Sequence, residues 1–268
     1  MKVTELMEMV NATAAVDNWK CPFPHSPRPH NKTNVLPPPK TENNASTLSD
    51  NLDDESKHVR NIKIKFTSRN TKHSLDAQFT AHHLVPGNET WPKTRLNKWI
   101  DARKDWIKGD IGYDVNAAEN GVDLPGNSAA QAAGKWSDQK FQNGYAFACM
   151  TADTKDRQFH DRHPAYSDFV VNVMNKIATK LENCRKDDGC GKTDCGGAGK
   201  KKYDPPYELL ERLYGVASRL SLKLTGSCKK WKKPVMTSRF ALMYKDRGLT
   251  QTQARAQLRK DEFASDYS

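Results

Sequence analysis

The chain has 268 residues and a formal net charge of +11 at pH 7, and this length suits one sizeable domain or two small ones. No stretch approaches the ~18 consecutive apolar residues of a membrane-spanning helix, so we expect no transmembrane segment and no membrane partner. The first 16 residues lack the continuous apolar core of a secretory signal peptide. We therefore expect that a secreted form leaves its cell by another route.

The positive charge is concentrated towards the end of the chain. Residues 185–268 contain 19 Lys and Arg against 10 Asp and Glu, whereas residues 1–184 contain 24 against 22. This imbalance favours a polyanionic partner, most simply nucleic acid, although a solvated surface would have the same composition. Two groups of tail lysines would add salt-dependent affinity for DNA. They are Lys200–Lys202 and the group Lys229, Lys230, Lys232 and Lys233.

Residues 1–58 have the composition of a disordered, Pro- and Asn-rich linker or delivery segment. Seven of the chain's 14 prolines lie between Pro22 and Pro39, and the sequence TENNASTLSDNLDDES is almost free of apolar residues. Such a segment buries too little apolar surface to offset the entropy lost on ordering. We therefore expect regular structure to begin near residue 60.

Residues 59–183 carry the periodic apolar patterns of a mixed α+β core. The alternation in NIKIKF predicts a strand at residues 61–66, and a second extended segment covers residues 77–84. Apolar residues at helical spacing predict helices over residues 93–107 and 164–183, each opening near a proline. The sequence ENGVDLP between these helices predicts a short strand flanked by loops.

Residues 184–268 form a basic extension that contains cysteines. A loop rich in Gly, Lys and Cys is predicted up to residue 203, followed by amphipathic helices over residues 206–224 and 250–262. Two amphipathic helices joined by a loop usually bury each other's apolar faces. We therefore expect the extension to pack on the core, with the helix over residues 206–224 against the helix over residues 164–183.

Four of the six cysteines are clustered. Cys184, Cys190, Cys195 and Cys228 have the spacing C-x5-C-x4-C, with the fourth after 32 further residues. This spacing is wider than that of an ordinary zinc knuckle, but the glycines around it would let the backbone wrap an ion. A structural zinc site, two disulfides and unpaired thiols are all compatible with the pattern.

Two histidine pairs, in AHHLVP and FHDRHPAY, bracket the sequence ENGVDLP. Phosphodiester hydrolysis needs a base to activate water and a cation to hold the phosphate oxygens. Two imidazoles from a helix start and one from a strand can form a three-ligand metal site with open positions. A neighbouring histidine off the metal can take the proton, since its unperturbed pKa is ~6.5. An asparagine can orient that base or hold the metal-bearing loop.

The motifs AHHLVP, ENGVDLP and FHDRHPAYSDFV, in this order, resemble the AHH group of HNH nucleases, within the His-Me finger or ββα-metal class. The resemblance covers roughly residues 76–182. It implies a small ββα-metal core with additional helices. It also implies site residues: His83 as general base, Asn120 as the central asparagine, His82 as a metal ligand, and His160 and His163 as the metal motif on the helix side.

This resemblance implies a metal-dependent endonuclease with one divalent ion, Mg, Mn or Zn. We expect it to cleave DNA without sequence specificity, and RNA is the alternative substrate. Members of the group are often toxin domains of bacterial polymorphic toxins and secretion-system effectors. We therefore expect an antibacterial toxin that a secretion system delivers into the target-cell cytoplasm and that a cognate immunity protein restrains. A non-enzymatic, zinc-stabilised nucleic-acid-binding protein would explain the cysteines and the charge, but it would leave the paired histidines without a role.

One part of the chain departs from the motif pattern. The insertion from Gly126 to Arg157 is long and carries several aromatic residues, among them Trp136, Tyr145 and Phe147. We expect it to supply extra core or a wall of the substrate site.

Overall fold

The computed structural model describes residues 36–152, 157–185, 202, 205–206, 208–248 and 253. This part of the chain has the predicted mixed α+β fold, with several helices and two two-stranded sheets, β1–β2 and β3–β4. The strands are β1 (Ile62–Ser68), β2 (Thr71–Ala77), β3 (Phe79–His83) and β4 (Gly121–Pro125). The helices are α1 (Ala45–Asp54), α2 (Gly87–Thr90), α3 (Ser128–Ala132), α4 (Gln139–Ala152), α5 (Pro164–Arg185), α6 (Leu209–Leu224) and α7 (Arg239–Asp246).

The described residues fold into two compact units. Unit 1 comprises residues up to 44, residues 83–120 and residues 167–219, and unit 2 comprises residues 45–82, 121–166 and 220 onward. The chain passes from unit 2 into unit 1 between His82 and His83, at the end of β3.

Strands β1 and β2 form an antiparallel hairpin in unit 2. Their register pairs Ile62 with Ala77 and Ser68 with Thr71. The two connecting residues, Arg69 and Asn70, have φ angles of 48° and 62°. A two-residue hairpin loop with both central φ angles positive is a type I′ turn, whose twist matches that of the flanking strands. The sequence predicted β1, β3 and β4 but not β2, because TKHSLDA contains few apolar residues to alternate.

The core of unit 2 is rich in aromatic side chains. Helix α4 lies in the insertion and packs along β1, and Tyr145 and Phe147 on this helix are fully buried. The insertion therefore supplies extra core, one of the two roles expected of it. Trp231 and Phe240, from the basic extension, belong to the same cluster of buried residues. The extension therefore contributes directly to the core of unit 2.

Helix α1 corrects the expectation that the chain is disordered up to residue 58. Leu48 and Leu52 are both fully buried. Their spacing of four residues places them on one helical face, so two apolar residues are enough to anchor the helix. A Cβ atom at Gly121 would lie 2.8 Å from Leu48 Cδ1, so the glycine at the start of β4 permits this close approach. Residues 1–35 lie outside the described residues.

The α-helix predicted over residues 93–107 is wrong. Three 3-10 turns cover this region instead: Trp91–Lys93, Arg95–Trp99 and Ala102–Lys104. Thr94 Oγ1 accepts a hydrogen bond from Leu96 N, and Asp101 Oδ1 accepts one from Arg103 N. Such local bonds from side chain to backbone compete with the α-helical ladder. The apolar residues of this pattern are nevertheless largely buried. The pattern therefore predicted the core residues correctly but the local conformation wrongly.

The two longest helices confirm the predictions over residues 164–183 and 206–224. The fully or nearly buried apolar side chains of α5 are Tyr166, Val170, Val173, Met174, Ala178 and Leu181. Those of α6 are Leu209, Leu213, Val216, Ala217, Leu220 and Leu224. Each set follows a helical apolar stripe, as the sequence indicated. Packing of one helix on the other stays a prediction.

Some predictions fall on residues outside the description. They include most of the loop up to residue 203 and the helix over residues 250–262, of which only the helical residue 253 is described. The side chains of Cys184, Cys190 and Cys195 also lie outside it, so the cysteine quartet stays a prediction. Cys228 is buried in the core of unit 2. Among the described residues, no helix combines the length and the apolar character needed to cross a membrane.

Candidate metal centre and the adjacent histidine

Three of the predicted site residues come together in unit 2. The side chains of His82, His160 and His163 each offer a ring nitrogen, and these nitrogens all lie within 4.8 Å of one another. The ring centroids are 4.6 Å apart for His82 and His160, and 5.0 Å apart for each of the other two pairs. We call these three residues the histidine triad. It is the only such group of potential metal ligands among the residues that the structure describes.

Each member of the triad comes from a different local structure. His82 lies near the end of β3 and is 4% exposed. His160 lies beside the end of β4, where its backbone N–H donates to Pro125 O at 2.8 Å. His163 immediately precedes α5, and its carbonyl oxygen accepts from Tyr166 N at 3.0 Å in the first turn. The two strands and the helix start thus converge at one point.

Tyr166 packs against two members of the triad. Its ring is fully buried and lies 5.5 Å from the rings of His82 and His163. Burial raises the pKa of its hydroxyl well above the ordinary range. The side chain therefore stays neutral and gives the histidines a packed wall.

The electrostatics of the triad favour a neutral ring at His160. Burial, and then the neighbouring His163, lower the pKa of His160 to about 4. His160 Nε2 and His163 Nε2 are 3.1 Å apart, so one of these nitrogens donates and the other accepts. Neutral imidazoles are the form that binds a metal. Three converging imidazole nitrogens without a carboxylate fit zinc and similar transition metals better than magnesium, which prefers oxygen ligands.

His83, the predicted general base, belongs to unit 1 and has different surroundings. Its side chain is 8% exposed, and its Nε2 lies 2.9 Å from Asn116 Oδ1. The same oxygen accepts from Asn44 N, while Asn116 Nδ2 donates to Glu42 O, so the orientation of this amide is fixed. An amide oxygen only accepts hydrogen bonds, and His83 Nε2 must therefore carry the proton. In the neutral ring, Nδ1 then holds the lone pair.

The pKa of His83 lies below its usual value. Burial is the main cause, and the hydrogen bond to Asn116 and the nearby charge of Asp114 oppose it. The ring is therefore neutral at neutral pH and can accept a proton at Nδ1.

Asn120 contacts backbone groups only. Its side chain is fully buried, its Oδ1 accepts from Val85 N at 2.9 Å, and its Nδ2 donates to Val85 O and Val115 O at 3.1 and 2.7 Å. These bonds hold the turn that follows His83 to the segment before β4. Of the two roles considered for this asparagine, the contacts match the holding of a loop.

Asn116 is the residue that sequence reasoning missed. It makes the contact with His83 that was considered for Asn120, and it lies four residues earlier, in DVNAAEN. Two asparagines at this spacing were the only signal available. Nothing in their local pattern distinguishes the one that touches the base.

A comparison with protein-family models found a match over part of the chain. Residues 65–190, just under half of the chain, match the model of AHH, a nuclease family of the HNH/ENDO VII superfamily with conserved AHH. In this chain that tripeptide is Ala81-His82-His83. No curated protein and no solved structure matches the chain. Residues 65–190, which hold the triad, His83 and Asn120, are therefore similar to the AHH nuclease family of the HNH/ENDO VII superfamily.

Proposed function

We propose that this protein is a metal-dependent endonuclease that hydrolyses phosphodiester bonds of DNA. The observation that carries this proposal is the convergence of His82, His160 and His163 directly beside a fourth histidine, His83, along the chain. The family match supports a nuclease, and a nuclease acts on nucleic acid. Metal dependence and the preference for DNA are what the proposal adds to it.

The histidine triad would hold one divalent cation. When bound, the cation would supply positive charge to the oxygens of the scissile phosphate. The three imidazoles bind in their neutral form, and the low pKa of His160 keeps that residue neutral well below pH 7. Among Mg, Mn and Zn, the nitrogen donor set favours Zn.

His83 would act as the general base. Asn116 holds its Nε2–H, so Nδ1 is the atom that takes a proton from the attacking water. His83 directly follows His82, the proposed metal ligand, in the chain. The Cα atoms of the base and of this ligand are therefore about 3.8 Å apart. Asn120 would keep the turn after His83 in place.

A lysine-rich segment of unit 2 would contribute affinity for the nucleic-acid backbone. Residues 228–235, which we call the lysine turns, form two 3-10 turns around the fully buried Trp231. Lys229, Lys230, Lys232 and Lys233 are all exposed. No Asp or Glu occurs between Glu211 and Asp246. Lysines on such a surface attract phosphates without regard to base sequence.

We further propose that the nuclease acts as an antibacterial toxin. This part rests on the resemblance to effector domains alone. It includes delivery by a secretion system into the target-cell cytoplasm and a cognate immunity protein as partner. Expression in the bacterial cytoplasm should stop growth, and the His83→Ala variant should not. Equal growth with both proteins would contradict the toxin role without touching the nuclease activity.

The substrate is tested by offering DNA and RNA side by side. The purified protein is incubated with plasmid, linear DNA and total RNA under Mg, Mn and Zn, with His83→Ala as the control. We expect the wild type to nick and linearise plasmid and the variant to leave it intact. Cleavage of RNA alone would replace DNA by RNA as the substrate. If the protein binds nucleic acid but cleaves none with any of the three metals, the result would favour the non-enzymatic, zinc-stabilised binding protein.

A further inference from the structure

The loop that carries His160 has no regular secondary structure over residues 157–159, so its conformation depends on outside contacts. We call residues 157–163 the His160 loop. Its backbone is bonded at four successive residues. Gln158 N donates to Leu224 O (2.9 Å), Phe159 O accepts from Thr237 Oγ1 (2.9 Å), His160 N donates to Pro125 O (2.8 Å), and Asp161 N donates to Thr237 O (3.2 Å). Three of these four partners belong to the chain beyond residue 223.

The side chain of Gln158 extends the same connection. Its Nε2 donates to Val235 O at 3.1 Å, and its Oε1 accepts from Thr237 N at 3.0 Å. Both Gln158 and Thr237 have no solvent exposure. The large majority of polar side chains buried to this degree are hydrogen-bonded, and such satisfied contacts fix a single local conformation. Together they lock the His160 loop to the segment that follows the lysine turns.

We propose that Thr237 and Gln158 are positioning residues of the metal centre, because they set the place of His160 within the histidine triad. The family match ends at residue 190, so Thr237 lies outside it. The basic extension would then be a working part of the nuclease site, beyond supplying charge and core. This inference rests on the proposed function, since it takes the triad to hold a divalent cation.

A metal site tolerates only small displacements of its ligands. His160 shares one ion with ligands from β3 and from the start of α5, so a shift of its loop changes the distance from its ring to the other two nitrogens. Thr237 contacts the residues on both sides of His160, namely Phe159 O and Asp161 N. Loss of a partner that orients a metal ligand typically costs 10–100-fold in metal affinity. We expect Thr237→Val to fall at about the lower end of that range.

The test uses the full chain, freed of metal with EDTA and titrated with Co²⁺, whose visible absorption reports the geometry of its ligands. Thr237→Val removes the hydroxyl and keeps the side-chain shape. We expect its Kd for Co²⁺ to rise about tenfold and its absorption band to change. Thr237→Ser restores the hydroxyl and should bind with the wild-type affinity and spectrum.

Thr151→Val is the matched control. Thr151 is also buried in unit 2, and its Oγ1 donates to a backbone carbonyl, that of Ala148, at 3.1 Å. Urea unfolding of both valine variants in EDTA separates lost stability from lost positioning. The inference is overturned if Thr237→Val binds Co²⁺ like the wild type, or if Thr151→Val weakens binding equally. If Thr237→Val does not fold, the pair Thr237→Ser and Thr237→Ala decides by the same criterion.

The positioning role of Thr237 and the proposed nuclease function can fail independently of each other. A wild type that binds Co²⁺ and cleaves DNA, with a Thr237→Val variant indistinguishable from it, contradicts the positioning role alone. A wild type that binds Co²⁺ and cleaves no nucleic acid contradicts the proposed function, and the affinities of the variants still decide the role of Thr237.

Discussion

His82 and His83 are consecutive residues, yet the side chains of these two histidines have different surroundings. The ring of His82 lies among two other imidazoles and the buried ring of Tyr166. The ring of His83 is fixed by the amide oxygen of Asn116. A cluster of imidazoles disfavours protonation and leaves its lone pairs to a cation, whereas an amide acceptor fixes one nitrogen as donor and leaves the other as base. Adjacent residues of one type thereby acquire different chemistry.

The largest expected effect comes from removing the base. His83→Ala should lower the rate of plasmid cleavage by roughly 10²–10⁴-fold, the usual contribution of a general base. Its affinity for metal, measured by calorimetry, should stay at the wild-type level because His83 is not a ligand. His73→Ala, in β2, serves as a control and should cleave like the wild type. Wild-type cleavage by His83→Ala would contradict the assignment of the base.

Removing a triad member should affect metal binding as well as cleavage. His82→Ala and His163→Ala each delete one of three donors. Since loss of an outer partner already costs 10–100-fold, we expect loss of a direct ligand to weaken metal binding by more than about 100-fold. His160→Ala should behave in the same way. If it binds metal normally and cleaves poorly, His160 is an outer partner of the other two histidines and not a ligand.

Substitution of Asn116 should change the cleavage rate, whereas substitution of Asn120 should change the stability of the protein. Asn116→Ala should lower the cleavage rate by about 10²-fold, because a small displacement of the base has an effect of that size. Asn120→Ala leaves Val85 N, Val85 O and Val115 O without this partner and should lower the free energy of unfolding by about 3 kcal/mol. Cleavage kinetics and urea unfolding of both variants decide. A slow but fully stable Asn120→Ala would give this residue the orienting role instead.

Helices α5 and α6 and the paired histidines were predictable because their signals are local. The apolar stripe of α5 and the paired histidines can be recognised in short windows of sequence. Helix α1 was missed because it depends on two leucines and on the absence of a side chain at Gly121. The hydrogen bond between Gln158 and Thr237 joins residues that are 79 positions apart, so no local sequence pattern predicts it. Asn116 was missed because only tertiary structure distinguishes it from Asn120.

Substitutions in the lysine turns should change the affinity for DNA more than the rate of cleavage. Replacing Lys229, Lys230, Lys232 and Lys233 by Gln should weaken binding to duplex DNA and make log K against log salt shallower by about 0.9 for each lost phosphate contact. Fluorescence anisotropy in the His83→Ala background measures this without cleavage. The control replaces three exposed lysines of the β1–β2 hairpin, Lys63, Lys65 and Lys72, by Gln. An equal change in slope would show that the charge acts without regard to its location.

The last of these effects concerns stability in the absence of metal and does not involve cleavage. The pKa of His160 falls from 6.5 to about 4 on folding, so the unfolded chain binds this proton first as the pH drops. The free energy of unfolding should therefore decrease between pH 6.5 and pH 4, and His160→Gln should reduce this decrease. Urea unfolding in EDTA across this range measures it. An unchanged slope in His160→Gln would show that the triad does not hold His160 neutral.

The most direct test of the central claim is the rate of plasmid nicking as Zn²⁺ is titrated into protein that EDTA has freed of metal. If the histidine triad holds the cation that the reaction needs, the metal-free protein is inactive, and activity rises to a plateau as the triad fills. His82→Ala should show no such plateau. A metal-free wild type that nicks plasmid at the full rate would contradict the account.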